Sequence, residues 1–93
     1  MSKKKVPFSN AGIDDLPNDK PAVYKILTRS GKPNYIGTAK RGRVRGRLRE
    51  HLREIPGERV QIEQFHRIRD AQKREAGAIK KAKPKYNTQQ KQR

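Results

Sequence analysis

The chain has 93 residues, enough for one small domain, and its formal net charge of +16 exceeds the roughly 2–8 charges that keep such a domain soluble. The lack of cysteine excludes disulfides and thiolate metal sites, two histidines are too few for a structural zinc site, and no apolar run approaches the ~20 residues of a membrane span. The composition predicts a soluble, cytoplasmic protein with no membrane association and no signal peptide, whose surplus positive charge meets a polyanion, nucleic acid foremost.

Residues 1–20 are a basic lead-in, predicted mostly irregular, with Pro7, Gly12, Pro17 and several Asn and Asp residues breaking any regular pattern. Within it Ser9 predicts the cap of a short helical turn reaching Leu16, anchored by Phe8 and Ile13. A folded domain is predicted over residues 21–87. It begins with a β-hairpin: Val23 to Leu27 and Tyr35-Ile36 are rich in strand formers, and Ser30-Gly31 marks the turn. Tyr24 and Tyr35 sit on neighbouring strands. Taken singly, each reads either as a half-buried core tyrosine or as a reactive hydroxyl.

Residues 41–55 predict a helix whose apolar stripe is Val44, Leu48, Leu52 and Ile55, with Arg47 and His51 one turn apart at its border. Arg45, Arg49 and Arg53 form a row on the solvent flank. With Lys40, Arg41 and Arg43 they read as a phosphate-facing surface, against the alternative of a simply solvated face.

A third strand is predicted from residue 59 to about Arg67, with a bulge, followed by a helix capped by Asp70 and stopped by Pro84. The inward stripe of this helix is Ala71, Glu75, Ala78, Ile79 and Ala82. A carboxylate in that stripe is costly unless paired or metal-bound, so Glu75 reads as a structural ion pair with an arginine or as a metal ligand facing the hairpin. Residues 88–93 lose periodicity and are predicted to be a disordered polar tail.

Five motifs now stand in order. Ala22-Val23-Tyr24 and, separated from that tyrosine by ten residues, Tyr35-Ile36-Gly37 come first. Arg47-Leu48 with His51, Glu75 ahead of Ile79-Lys80, and Pro84-Lys85-Tyr86-Asn87 follow. Together they resemble the GIY-YIG nuclease family over nearly the whole chain, with Ala22 standing where that family usually has glycine. The resemblance implies an α+β fold: a three-stranded antiparallel sheet flanked by helices, in β-β-α-β-α order. It also implies metal-dependent phosphodiester hydrolysis.

On this resemblance Tyr24, Tyr35, Arg47, His51 and Glu75 form the catalytic set, and Glu75 holds a single Mg²⁺ or Mn²⁺ that keeps most of its waters. Tyr24 takes a proton from the attacking water. Its ordinary pKa is about 10, so Arg47 and the cation are expected to lower it. Arg47 braces the phosphate, Tyr35 and His51 position the water, and Gly37 and Asn87 support the site. The implied activity is a DNA endonuclease or nickase of low intrinsic sequence specificity, acting on double-stranded or branched DNA, with a protein partner to supply specificity. The competing reading is a non-catalytic nucleic-acid-binding module with a degenerate site. The intact Tyr24, Tyr35, Arg47 and Glu75 favour the enzyme.

Overall fold

The computed structural model describes residues 3–90. Its elements are β1 (Lys3–Pro7), α1 (Asn10–Asp14), β2 (Ala22–Leu27), β3 (Pro33–Ala39), α2 (Val44–His51), β4 (Arg59–Gln64), α3 (Ile68–Ala82) and α4 (Lys85–Gln90). The predicted hairpin is β2–β3. Its turn closes through Thr28, whose backbone N–H donates to Lys32 O, and Gly31 there takes a φ of +93° that a residue with a side chain rarely adopts. In this register Tyr24 lies opposite Gly37 and Ile26 opposite Tyr35.

The sheet has four antiparallel strands in the order β1-β4-β2-β3, so the three-stranded, β-β-α-β-α expectation is wrong: the chain runs β-α-β-β-α-β-α-α, with β1 and α1 ahead of the hairpin and α4 at the end. The extra strand comes from the lead-in, where Lys3 pairs with Glu63 and Val6 with Val60. Its lysines conceal it, because only Val6 is buried and no apolar alternation is visible. Main-chain pairing to a strand far along the chain makes it a strand, and lysines on an edge strand discourage further pairing.

Ser9 caps α1 as predicted, its hydroxyl accepting from the Gly12 N–H. The predicted helix over 41–55 is shorter, although Val44, Leu48 and Ile55 are fully buried as its stripe requires. β4 ends at Gln64 rather than Arg67, and the irregular register falls between Ile26 and Leu27 instead. α3 begins at Ile68, with Asp70 in its first turn rather than at its cap. It ends at Ala82, and its C-cap Lys83 is left-handed with φ 47° ahead of the buried Pro84. α4 extends regular structure into the predicted tail, of which residues 91–93 lie outside the described residues.

Two apolar layers follow from strand alternation. Tyr24, Ile26, Val60 and Ile62 meet Ile13, Leu16, Val44, Leu48 and Ile55 on one sheet face. Val23 and Ile36 meet Ala71, Ile68 and Ile79 of α3 on the other. Truncating one such buried leucine, for example Leu48→Ala, typically costs about 2–5 kcal/mol. No described helix is long and apolar enough to cross a membrane.

Candidate active site

The sheet, α2 and α3 converge beside β3, and each contributes one kind of chemistry. β2 contributes Tyr24, which is fully buried. Its ring has room only because the residue across the ladder is Gly37. A Cβ built there would lie 2.6 Å from the Tyr24 hydroxyl oxygen, 2.7 Å from its Cζ and 3.0 Å from Tyr35 Cε2. The two tyrosine rings stack at 6.1 Å between centroids, 29° apart. Ala22 is an ordinary strand residue with its methyl buried. Among the described residues only Lys83, Gly31 and Gly42 have positive φ, so no glycine is required there.

The buried stripe of α2 turns its border residues toward these rings. The Tyr24 hydroxyl lies 3.0 Å from His51 Nε2, and the His51 ring is 4.8 Å from that of Tyr35. His51 Nδ1 is buried without a hydrogen bond, 3.6 Å from Glu54 Oε1. Burial and then the Arg47 charge hold the His51 pKa below the ordinary imidazole value, with Glu54 and Glu50 opposing, so the neutral ring prevails at neutral pH. Arg47 faces the Tyr24 hydroxyl, yet its own Nε is buried with no partner. Buried nitrogens are normally paired, so the Arg47 Nε–H is a donor with capacity to spare.

Arg47 acts on Tyr24 in the expected direction but is outweighed. The Tyr24 pKa is pushed up from the ordinary phenol value, first by burial and then by Tyr35, and Arg47 draws it back only in part. In the protein alone Tyr24 is therefore a protonated phenol in contact with His51.

α3 adds Glu75, half-buried, to whose Oε1 the Thr38 hydroxyl donates at 3.4 Å. Burial raises its pKa, while Thr38 and Arg47 lower it. Glu75 makes no salt bridge among the described residues, which removes the structural-ion-pair alternative. No cluster of three or more His, Cys, Asp or Glu side chains exists among the described residues. A single half-buried carboxylate does not fit a cation that needs a full protein shell. It does fit Mg²⁺, which keeps several waters and takes one or two carboxylates.

Beside Glu75 opens a cleft of about 300 Å³ lined by Thr38, Lys40, Arg43, Arg47, Ile68 and Gln72, among others. Thr38 and Gln72 escaped the sequence reading. Thr38 becomes visible as a site residue only once the register places it with Ile36, on the face that α3 covers. The predicted arginine row divides. Arg53 and Arg41 are exposed, but Arg45 Nε donates to Leu16 O at 2.8 Å and Arg49 pairs with Asp14, so both are tied to the α1 segment. Asn87 also stands away from the chemistry. Its amide donates to Ile36 O at 2.8 Å and its Oδ1 accepts from Ile36 N–H at 2.7 Å, so it pairs with the outer edge of β3.

This arrangement has counterparts of known structure. The GIY-YIG N-terminal endonuclease domain of UvrC from Thermotoga maritima, bound to its catalytic divalent cation, magnesium, is 33% identical to this chain. The match covers 81% of this chain and 90% of that one, with a TM-score of 0.67. The chain belongs to the GIY-YIG endonuclease domain family. A tyrosine-to-phenylalanine point mutant of the same Thermotoga domain is 34% identical over 81% of this chain and 89% of its own, with a TM-score of 0.65. An asparagine-to-alanine point mutant is 32% identical over 80% and 88%, with a TM-score of 0.66. Both mutants are bound to the catalytic divalent cation. No protein-family model and no curated protein matches the chain. Tyrosines, arginine, histidine and glutamate therefore meet here on a GIY-YIG scaffold.

Proposed function

We propose that this GIY-YIG domain is a metal-dependent DNA endonuclease that hydrolyses phosphodiester bonds, with Tyr24, Tyr35, Arg47, His51 and Glu75 as its catalytic set. The observation that carries the proposal is Glu75. It is a half-buried carboxylate without an ion pair among the described residues, set close enough to Arg47 and Tyr24 for their charges to act on one another. Its carboxylate would hold a single Mg²⁺ or Mn²⁺. Bound there, the cation supplies Lewis-acid stabilisation of the phosphate and of the leaving oxygen.

The protein's own groups account for the proton and the anionic charge. Neutral His51 accepts the Tyr24 hydroxyl proton through their 3.0 Å contact, and Tyr24 takes a proton from the attacking water. This order lets a buried phenol act as a base without a free phenolate at rest. Arg47 offers its unsatisfied Nε–H to a phosphoryl oxygen, a charge-assisted bond that strengthens as negative charge grows in the transition state. Tyr35 packs against both the Tyr24 and His51 rings and holds them in register.

Lys40 and Arg43 in the cleft, with the exposed Arg41 and Arg53, meet the DNA backbone. Phosphate contacts position DNA without reading its sequence, so intrinsic specificity is low and target choice falls to a protein partner. The test is nicking of supercoiled plasmid with Mg²⁺ or Mn²⁺ by the unaltered chain and by Glu75→Ala. Cleavage by the first and none by the second supports the proposal. Equal cleavage by both, or none by either on linear, nicked and branched DNA, overturns it.

A further inference from the structure

The α3 helix has two flanks, and only one belongs to the catalytic cleft. Ile68, Gln72 and Glu75 look toward Arg47 and Thr38. On the opposite flank, Arg74, Gly77 and Lys81 form, with Lys25 of β2, the wall of a separate cleft of about 270 Å³ floored by Ile36. No acidic side chain lines it. The nearby Glu63 engages Arg74 through Nε at 3.4 Å, leaving three cations against one carboxylate.

Lys25 is half-buried and makes no hydrogen bond or ion pair among the described residues. The strand register continues the charge. Lys25 lies across from Gln61 and Gln61 across from Lys5, so the row runs over the sheet face to the β1 edge.

Gly77 is the second, independent observation. It stands in the middle of a 15-residue helix, is exposed, and has nothing within 4 Å of where a Cβ would be. Apart from proline, glycine is the poorest helix former, and nothing within this chain requires one there. Its effect is to leave the cleft wall as bare backbone between two cations, where a ligand can approach closely.

We propose that the cleft formed by Lys25, Arg74, Gly77 and Lys81 is a second phosphodiester-binding site, which holds the DNA backbone on the side of α3 away from the catalytic cleft. Such a site lengthens the footprint beyond the scissile phosphate and favours substrates long enough to cross the helix. The inference rests on the nuclease reading for the identity of its ligand, and is tested without cleavage.

DNA-duplex affinity is measured in EDTA from about 50 to about 200 mM salt for the unaltered chain, for Lys25→Ala/Lys81→Ala and for Arg29→Ala/Lys32→Ala at the hairpin tip. The cleft pair is expected to flatten the log–log salt slope by about 2, and the hairpin pair, equal in charge, to leave it unchanged. Lys25→Gln/Lys81→Gln provides the same loss of charge with more of the side chain kept. Gly77→Leu is expected to bind DNA severalfold more weakly while melting no lower than the unaltered chain.

An unchanged slope in both cleft pairs, or an equal flattening by the hairpin pair, overturns the proposal. So does full affinity in Gly77→Leu, or an amide shift at Gly77 produced by inorganic phosphate but not by DNA. Failure of the plasmid assay would defeat the nuclease reading and leave this binding comparison standing.

Discussion

The Tyr24 hydroxyl and His51 Nε2 meet at 3.0 Å in the interior, joining the second strand to the last residue of α2. Tyr24, Tyr35, Arg47, Glu50 and Glu54 face the His51 ring, and burial with the Arg47 charge outweighs the carboxylates in lowering its pKa. Between this lowered value and the ordinary ~6.5, the unfolded chain binds a proton that the folded chain refuses. Stability is therefore complete above about pH 6.5 and falls as the pH drops through the folded pKa. Urea midpoints measured across this range are expected to decline on acidification, and the decline to be smaller in His51→Gln. A decline of equal size in both proteins would mean that the ring is not held neutral by its surroundings.

Glu75 titrates in the opposite sense. Burial raises its pKa, so the folded state favours the protonated carboxyl, and this contribution is lost as pH rises through the folded value. At neutral pH and without divalent cation, Glu75→Gln is expected to melt higher than the unaltered chain, and with Mg²⁺ added to lose cleavage. At about pH 4, below the ordinary glutamate pKa, the difference in melting should vanish. A lower melting temperature in Glu75→Gln at neutral pH would show the carboxylate to be a structural partner after all.

Gly37→Ala places a methyl against both tyrosines, at 2.6 Å from the Tyr24 hydroxyl oxygen. Tyr24 is enclosed, so its ring or the strand must shift, at a cost of about 1–3 kcal/mol. Cleavage is expected to fall by more than the loss of folded protein explains, because the displaced atom is the one proposed to accept the proton. Denaturation and single-turnover cleavage of the same preparation separate the two effects. A variant with unchanged turnover would remove Tyr24 from the mechanism.

Asn87 makes both hydrogen bonds a neighbouring strand residue would make to Ile36. Asn87→Ala leaves a part-buried backbone donor and acceptor without these partners and is expected to cost about 1–3 kcal/mol. Asn87→Asp keeps the acceptor and loses the donor, so its denaturation midpoint should lie between the other two. Identical midpoints in all three proteins would show that the clamp contributes nothing.

The arginines of α2 and its approach are expected to separate by function. Arg45→Ala/Arg49→Ala loses the bond to Leu16 O, worth about 0.5–1.5 kcal/mol, and an exposed pair with Asp14 worth about 1 kcal/mol or less. It should lower stability and leave the salt dependence of DNA binding intact. Arg41→Ala/Arg43→Ala should do the reverse, flattening the slope by about 2. The opposite pattern would return Arg45 and Arg49 to the DNA.

The chemistry was legible in the chain because it is carried by local patterns. Tyr24 and Tyr35 are displayed by strand alternation, Arg47 and His51 by one helical turn, and Glu75 by its place in an apolar stripe. What brings these patterns together is not local. Lys3 to Pro7 becomes a strand only by pairing with Arg59 to Glu63, and no periodicity announces that contact. Tertiary structure likewise tied Arg45 and Arg49 to the α1 segment, set Asn87 on β3 and put Thr38 beside Glu75. It also set burial against the Arg47 charge at the Tyr24 hydroxyl. A charge pattern read along the chain shows which cations are near, whereas desolvation depends on how completely the fold excludes water from the hydroxyl. Sequence alone determined which groups are candidates for chemistry on a phosphodiester. The fold decided which of them are buried, paired or left free to act, because burial and pairing depend on distances that only packing sets.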